Sequence, residues 1–369
     1  MATITSVECS VRPFSRGTWL DDQKVASPMS VFPRFAASRS SWRGPGADLV
    51  TVLVRTSEDG VYGVGQTRGG TVVEAVIRDQ FAPMLLGTEP GEITIRAEEL
   101  RRAAAPFARG GVASLAVSAV ELALWDVEAR VARQPLARVL GGSEDVQLPT
   151  YVTCRAPEQL EALSKQAFEL LLAVKVGIPY GPIDGPGGLQ GNLDLLRAFR
   201  DRIPDKVPIA VDCFMGWDEA YTVEFAARAA PLSLAWIEEP LPPDDVNGYA
   251  RLRGRLGTVR LAAGEHLFGL SEGLRFLDAG CVDILQPDVT WCGGIRVAAT
   301  LAAVAQERGV IFAPHAGGIQ PWATHLLAAS GPNVLAEVLL GLGDPPILPV
   351  RPTKSVGAGV SPEPFGLKP

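Results

Sequence analysis

The sequence predicts an α/β protein in which a parallel α/β barrel follows a smaller α+β unit. Three observations lead to this prediction. Up to about residue 140, strand-like segments precede helix-like segments, which is the order of an α+β unit. From about residue 146, short apolar runs alternate with amphipathic segments, as in a barrel of parallel strands and crossover helices. Nearly every one of those runs ends in an ionisable residue.

The α+β unit is predicted from two strand-like segments and three helix-like ones. Apolar and polar side chains alternate in residues 3–14 and 47–67, and Glu58-Asp59-Gly60 predicts a turn within the second segment. Helical spacing follows in residues 71–87, 95–107 and 115–131. The connection of residues 15–47 is long, polar and rich in Gly, Pro and Ser. A connection of this length inside a compact unit is typical of a functional loop or a disordered segment.

The barrel is predicted from eight β-branched or apolar runs with helical crossovers and no sign of hairpins. These runs are residues 146–154, 171–178, 207–214, 234–240, 259–266, 282–288, 310–316 and 334–340. An open doubly wound sheet is the alternative, but no G-x-G-x-x-G motif follows an early strand of this region, and a closed barrel leaves no strand edges. The expected division is therefore 1–140 for the α+β unit and 141–340 for the barrel, with the Pro/Gly-rich tail 341–369 packing back on the first unit.

Composition excludes several classes of function. The formal charge of −7 argues against a nucleic-acid-binding protein, which would show a clustered basic face. The N-terminus lacks the pattern of a signal peptide, and no uncharged apolar run reaches about 18 residues, so neither secretion nor a membrane span is expected. Five scattered cysteines without a C-x-x-C pair are typical of a protein from the reducing cytoplasm.

The ionisable residues at the strand ends predict one functional site. After the first gap they recur every 22 to 27 residues, once in each strand–helix unit. A lone acidic residue at such a position would be interpreted as a solvated loop charge or a helix cap. A set in register needs another explanation, because the C-terminal ends of all barrel strands meet at one mouth. The set comprises Lys175, Asp212, Glu238, Glu265, Asp288, His315 and Glu337.

Three of these residues predict a magnesium site. Asp212, Glu238 and Glu265 end three consecutive strands, and crowded carboxylates repel one another unless a cation lies among them. A set of carboxylate oxygens suits Mg²⁺ better than zinc. A zinc hydrolase is the weaker alternative, because the chain has three histidines and no His-x-His.

The remaining strand ends predict proton abstraction. Asp288 and His315 end the next two strands, and a carboxylate on one ring nitrogen leaves the other free to accept a proton. Glu337 is a candidate for a hydrogen bond to the reacting group, and Lys175 for a fixed positive charge. A metal, a His–Asp dyad and a Lys suit removal of a proton α to a carboxylate, because a divalent cation stabilises the enediolate charge.

These motifs resemble those of the enolase superfamily, mandelate racemase subgroup. Within it, the chain is similar to the L-rhamnonate dehydratases in the stretches WLDD…SPMS, VGIPYGPIDGP, WIEEPLPPDD, GEH and DILQPDVTWCGGI. The resemblance implies a modified TIM barrel, (β/α)₇β, with an N-terminal α+β capping domain whose loop helps to select the substrate. It also implies Mg²⁺ bound at Asp212, Glu238 and Glu265, with Asp288 and His315 as the dyad. Homo-oligomers from dimer to octamer are implied by analogy alone.

Two departures from the family pattern bear on the reaction. Racemases of the subgroup have a second Lys where this chain has Gly177, so elimination of water from a sugar acid is favoured over racemisation. Rhamnonate dehydratases have a His where this chain has Thr18, so the acid role is open and His266 is a candidate for it. Arg39, Trp19 and His266 are the candidate substrate contacts.

Three functions therefore remain in competition. The first is a Mg²⁺-dependent sugar-acid dehydratase, a hydro-lyase that forms a 2-keto-3-deoxy acid. The second is a one-base epimerase or lyase of the same superfamily that acts on another carboxylate. The third is a barrel without catalytic activity, which the complete set of strand-end residues argues against. His325 lies in a helical stretch and is expected to be structural.

Overall fold

The computed structural model describes residues 2–13, 25–35, 47–341 and 347–368. The strands are β1 (Ile4–Arg12), β2 (Leu49–Thr56), β3 (Tyr62–Thr67), β4 (Thr150–Cys154), β5 (Leu171–Gly177), β6 (Ile209–Asp212), β7 (Leu234–Glu238), β8 (Arg260–Ala263), β9 (Ile284–Leu285), β10 (Ile311–Phe312) and β11 (Ala336–Leu339). The helices are α1 (Gly70–Val76), α2 (Ala82–Leu85), α3 (Ile93–Ala104), α4 (Val112–Val131), α5 (Leu136–Val139), α6 (Lys165–Glu169), α7 (Gly185–Arg200), α8 (Glu219–Ala229), α9 (Val246–Arg253), α10 (Gly269–Asp278), α11 (Ile295–Glu307) and α12 (Pro321–Leu327).

The N-terminal unit is an antiparallel sheet, in the order β1-β2-β3, covered by helices. Its closest contact joins β3 to α4, and two glycines make this contact possible. A Cβ atom at Gly63 would lie 2.0 Å from the carbonyl oxygen of Ala123, and one at Gly65 would lie 1.9 Å from that of Ala119. No larger side chain fits at either position, so the strand lies directly on the helix backbone. The predicted α+β unit is confirmed.

Helix α4 connects this unit to the barrel through a buried carboxylate. Glu121 is fully buried and accepts hydrogen bonds from the backbone N–H groups of Ile295 (2.8 Å) and Arg296 (2.9 Å). These are the first N–H groups of α11, which have no partner within their own helix. Burial raises the pKa of Glu121 to about 7. The predicted helix 115–131 thus has an unexpected role, since one of its acids caps a barrel helix.

The barrel consists of eight parallel strands in the order β10-β9-β8-β7-β6-β5-β4-β11. Its two ends are joined by backbone hydrogen bonds from Phe312 N–H to Asn333 (3.1 Å) and from Leu335 N–H to Phe312 (3.0 Å). Each predicted apolar run contains one of these strands. The predicted α/β barrel is confirmed, and the open sheet is excluded by this closure.

Alternation of side chains along the strands forms layers inside the barrel. One layer is apolar and contains Tyr151, Ala173, Ala210, Trp236, Ala262, Ile284, Ala313 and Leu335. Because successive side chains of a strand point to opposite faces, the residue two positions further on points inward again. On five of these strands that residue is ionisable, namely Lys175, Asp212, Glu238, His315 or Glu337. The inside of the barrel therefore changes from an apolar layer to a charged layer over two residues of each strand.

The C-terminal segment 347–368 lies against the N-terminal unit. The Ser10 hydroxyl donates to the carbonyl of Phe365 (2.7 Å), and the backbone N–H of Ala358 donates to Asp126 of α4 (2.7 Å). The division of the chain at residue 140, with the tail assigned to the first unit, remains a proposal. Within the described parts of the chain, every helix is too short or too polar to cross a membrane.

Candidate active site

Lys175 lies at the centre of the charged layer. Its side chain is 1% exposed, and its ammonium group lies 2.8 Å from Glu337 Oε1 and 3.9 Å from Asp212 Oδ2. It also forms an ion pair with Glu238 Oε1. Burial disfavours the charged amine, but the surrounding carboxylates outweigh burial and raise the pKa of Lys175 well above its usual value. This shift favours the charged form of Lys175, and its role as a fixed positive charge in the reaction stays a prediction.

One ammonium does not balance the carboxylates around it. Burial and the nearby charges of Asp212 and Glu337 raise the pKa of Glu238 to about 8, although Lys175 acts in the opposite direction. Burial, with contributions from Glu239 and Asp212, also raises the pKa of Glu265. Raised carboxyl pKa values mean that further positive charge would stabilise this layer. The site thus fits a divalent cation on the chemistry of its donors.

The carboxylates do not group in the way the sequence predicts. Among the described residues, the group of three metal-ligating side chains with donor atoms within 4.8 Å of one another is Glu239, Glu265 and His266. The predicted set shares only Glu265 with this group. Glu238 instead binds Lys175 and accepts a hydrogen bond from Gln286 (2.6 Å). The ligand set Asp212, Glu238 and Glu265 therefore stays a prediction.

The structure brings the predicted dyad together. His315 Nδ1 lies 2.8 Å from Asp288 Oδ2. Asp288 is held in place by Thr290, whose backbone N–H and hydroxyl both donate to its other oxygen at 2.7 Å, and by Gln320 (3.0 Å). Because the carboxylate accepts from Nδ1–H, the neutral imidazole leaves Nε2 without its proton. This arrangement suits a general base.

The second ring nitrogen of His315 faces the carboxylate cluster. Nε2 lies 3.6 Å from Glu265 Oε1, and the side chain is 19% exposed. Burial alone would lower the pKa of His315, but the charges of Glu265, Glu337 and Asp288 raise it to about 10. Without a cation, His315 therefore favours its protonated form near neutral pH, as His266 does. A cation bound at Glu265 would cancel the largest of the contributions that raise this pKa and would favour the neutral ring that a general base requires.

A second histidine–carboxylate pair lies beside the first, and sequence reasoning missed its acid. His266 Nδ1 lies 2.7 Å from Glu239 Oε2. Burial would lower the pKa of His266, but Glu239 outweighs burial and raises it to about 9. Glu239 has a positive φ of 42°, which is uncommon for this residue type and typical of functional sites. The signal in the sequence was the second Glu of WIEEP.

An aromatic ring links the two histidines. The Trp291 ring centroid lies 5.8 Å from that of His266 and 5.8 Å from that of His315. The Phe214 ring also contacts His266 edge-on, with the ring centroids 5.3 Å apart. Trp291 was not a sequence candidate, although it stands in the stretch DILQPDVTWCGGI. The two pairs thus share one apolar wall at the barrel mouth.

Glu337 is fully buried, and protein donors occupy both of its oxygens. Thr153 and Lys175 bind Oε1, and the backbone N–H of Ala316 donates to Oε2 at 2.7 Å. Burial would raise the pKa of Glu337, but Lys175 and His315 lower it to about 2. Here Glu337 binds the protein and holds Lys175 in place. Its predicted contact to the reacting group stays a prediction.

The N-terminal unit also brings a cation towards the site. Arg68 directly follows β3, donates to the carbonyl of Ala47 (2.9 Å) and is close enough to Asp288 for their charges to interact. Arg68 was not among the candidates predicted from the sequence. The predicted substrate contacts Trp19 and Arg39 lie outside the described residues.

His325 lies away from these pairs, in α12, and gives a prediction about stability. It is fully buried, and Nδ1 accepts a hydrogen bond from Ala137 N–H at 3.1 Å. Burial lowers its pKa from 6.5 to about 4. Below pH 6.5 the imidazole of His325 binds a proton in the unfolded chain but stays neutral in the folded protein. The contribution of neutral His325 to stability is therefore complete above pH 6.5 and is lost as the pH falls towards 4. The loss amounts to about 3 kcal/mol.

The His325→Gln variant keeps a hydrogen-bond acceptor but cannot titrate. We expect its unfolding free energy, measured by urea denaturation in EDTA, to fall less steeply than that of the wild type between pH 6.5 and 4. The difference between the two curves should grow to about 3 kcal/mol at pH 4. Parallel curves would mean that His325 is protonated in the folded state.

Two family descriptions match the chain. Residues 36–141 match the mandelate racemase/muconate lactonizing enzyme N-terminal domain, and residues 159–351 match the enolase C-terminal domain-like family. The chain is also 31% identical over 320 residues to an L-rhamnonate dehydratase of Saccharopolyspora erythraea, an alignment that covers 86% of this chain and 80% of that protein.

Solved structures agree with these matches. A rhamnonate dehydratase from Gibberella zeae in complex with Mg has a TM-score of 0.85 and 27% identity, over 97% of this chain and 93% of that one. A racemase from Streptomyces coelicolor A3(2) with bound magnesium has a TM-score of 0.76 and 26% identity, over 98% and 99% of the two chains. The chain belongs to the mandelate racemase/muconate lactonizing enzyme family of the enolase superfamily.

Proposed function

We propose that the protein is a Mg²⁺-dependent dehydratase of a sugar acid, with a reaction like that of the L-rhamnonate dehydratases. The observation that carries this proposal is a single strand-end base. His315 is oriented by Asp288 and faces Glu265, while the racemase position on β5 is Gly177. One base removes the α-proton without a partner on the opposite face to return it, which favours elimination. Relatives named as dehydratases support the same choice.

Asp212, Glu238 and Glu265 would hold the magnesium ion. They are oxygen donors at three consecutive strand ends, which matches the preference of Mg²⁺. The raised carboxyl pKa values of Glu238 and Glu265 support a cation among them. Magnesium would supply Lewis-acid stabilisation of the negative charge that develops on the substrate carboxylate. His266 is a poorer ligand, because the carboxylate of Glu239 favours its protonated form.

In this proposal His315 Nε2 accepts the proton α to the substrate carboxylate. The electron pair of that C–H bond forms the C=C bond, and the β-hydroxyl leaves as water after it accepts a proton. The resulting enol tautomerises to a 2-keto-3-deoxy acid. Asp288 fixes the orientation of the imidazole and stabilises its charged form. General-base catalysis of this kind contributes about 10²–10⁴-fold.

Two groups are candidates for the acid that protonates the leaving hydroxyl. The first is His315 itself, which carries the abstracted proton. The second is His266, whose pKa of about 9 keeps it protonated near neutral pH and whose ring lies on the same aromatic wall. Replacement of His266 decides between them, as described in the Discussion.

A sugar-acid panel tests the proposed function. The purified protein would be incubated with Mg²⁺ and L-rhamnonate, or with other aldonates that differ in configuration, and assayed for 2-keto acid. We expect keto acid from at least one of them and none after treatment with EDTA. Epimerised starting material without keto acid would instead identify a one-base epimerase. Binding without any turnover across the panel would favour a barrel without catalytic activity.

Location and assembly belong to the same proposal. All five cysteines lack a disulfide partner, and four of them are buried, which supports a protein of the reducing cytoplasm. We propose a homo-oligomer in the range from dimer to octamer, as in related enzymes. Light scattering coupled to size-exclusion chromatography measures its size directly.

A further inference from the structure

Arg155 lies on the inner face of the barrel, two residues beyond Thr153. It follows the last residue of β4, and the same strand face carries Tyr151 in the apolar layer and Thr153, which binds Glu337. Alternation therefore places Arg155 inward, one repeat above the charged layer. Its side chain is largely buried, at 8% exposure. Its guanidinium is a permanent cation, because the pKa of arginine is far above neutral pH.

The neighbour of Arg155 on the next strand is Gly177. In the parallel register, Thr153 lies beside Lys175 and Cys154 beside Val176, so Arg155 reaches the level of Gly177. A Cβ atom built at Gly177 would lie 3.4 Å from Cγ of Arg155, 3.6 Å from Nε and 3.9 Å from Cδ. The arginine side chain thus lies across the glycine, and a long side chain at position 177 would need the same space.

We propose that Arg155 is a substrate-binding and specificity-determining residue, whose guanidinium occupies the place that a second Lys of β5 would take. This inference rests on the proposed function. Arginine cannot act as a base, because its pKa is too high, but its planar group binds carboxylates and adjacent hydroxyls in a fixed geometry. With Arg155 over Gly177 in place of a second Lys, the site would have a cation that orients the substrate and no second base, so racemisation would have no route.

Charge gives a reason for such a cation. A sugar acid is an anion, the protein has a net charge of −7, and six carboxylates of the described residues lie at the mouth, namely Asp212, Glu238, Glu239, Glu265, Asp288 and Glu337. The charge of Lys175 is already used by two buried glutamates. Arg155 lies one repeat beyond the layer of Lys175, so it is a second cation on the inner face of the barrel.

Kinetics on the Arg155→Met and Arg155→Lys variants test the binding role. Using the aldonates that the wild type converts, we expect Arg155→Met to lose about 10- to 100-fold in kcat/KM, mainly through KM, and by different factors for different aldonates. Arg155→Lys should recover part of the loss, and added methylguanidine should partly rescue an Arg155→Ala variant. Arg251→Met serves as the matched control, because this exposed arginine pairs with Glu219 on the outer surface.

A double-mutant cycle tests the shared space without using activity. Gly177→Lys should lower Tm in the presence of Arg155 and much less in an Arg155→Ala background, because the two long side chains compete for one position. Equal losses of Tm in both backgrounds would overturn the proposed replacement. If no aldonate is converted, the proposed function fails, and this cycle still decides whether Arg155 fills the position of the missing Lys.

A structural role for Arg155 predicts another pattern. Arg155→Met would then lower Tm and reduce kcat/KM by the same factor for every aldonate, with no rescue by methylguanidine. That result would overturn the proposal. Losses of kcat/KM that differ between aldonates, together with rescue of Arg155→Ala by methylguanidine, would support a direct contact between Arg155 and the substrate.

Discussion

The His315→Asn variant is expected to lose about 10²–10⁴-fold in the kcat of dehydration, the range that a general base contributes. Asn has a similar volume near the backbone and still donates towards Asp288, but it has no nitrogen that accepts a proton. The measurement is exchange of the α-proton of L-rhamnonate, or of whichever aldonate the wild type converts, in D₂O with Mg²⁺. The rates of exchange and of 2-keto acid formation should both fall by this factor.

Two further variants separate the roles of the histidines. His266→Asn is the matched change in the second pair, since it leaves His315 and Asp288 in contact. If His266 donates the proton to the leaving hydroxyl, this variant keeps α-proton exchange but loses dehydration. If His315 performs both steps, it keeps both activities. Exchange that persists at the wild-type rate in His315→Asn would contradict the assignment of the base.

Asp212→Asn is expected to weaken Mg²⁺ binding by more than about 100-fold, whereas Glu239→Gln should weaken it by less than about 100-fold. Both variants replace a carboxylate by an amide in the same mouth. They differ because Asp212 is a proposed ligand, whereas Glu239 is already bound to His266, and groups outside the ligand set have effects of about 10- to 100-fold at most. Titration calorimetry on metal-free protein measures both affinities.

The comparison of Asp212→Asn with Glu239→Gln also tests the alternative ligand set, in which Glu239, Glu265 and His266 bind the metal. If Mg²⁺ binds at Glu239, Glu265 and His266, the order of the two variants reverses. Glu265→Gln weakens binding under either ligand set, so it serves as the positive control. Thermal unfolding of each variant without metal shows whether the fold is intact. Equal affinities in all three variants would place the cation elsewhere.

The fold was predictable because it depends on short-range patterns. Eight apolar runs separated by amphipathic segments identify parallel strands with crossover helices, and a barrel closes them without edges. The turn at Glu58-Asp59-Gly60 and the helix of residues 115–131 were predictable for the same reason. The cap of α11 and the close contact between β3 and α4 were not predictable from local patterns. Glu121, for example, binds α11 over a separation of 174 residues.

The candidate site was predictable in its composition but not in its contacts. Position at a strand end identified the dyad of His315 and Asp288, which the structure places 2.8 Å apart. It could not indicate that Glu238 and Glu337 would share the ammonium of Lys175. Nor did it identify the pair formed by Glu239 and His266, because Glu239 reaches the site through an uncommon positive φ.

The sequence by itself determined most of the chemical groups that meet at the barrel mouth, since strand period and order decide which side chains point inward at the C-terminal ends. Glu239 is an exception, because its backbone has an uncommon positive φ. Only the tertiary structure decided which of those groups bind one another. The choice of partners among Lys175, the six carboxylates and the two histidines depends on distances across the barrel and on burial, and neither is encoded in local spacing. The same holds for Arg155, whose position over Gly177 follows from the packing of two neighbouring strands.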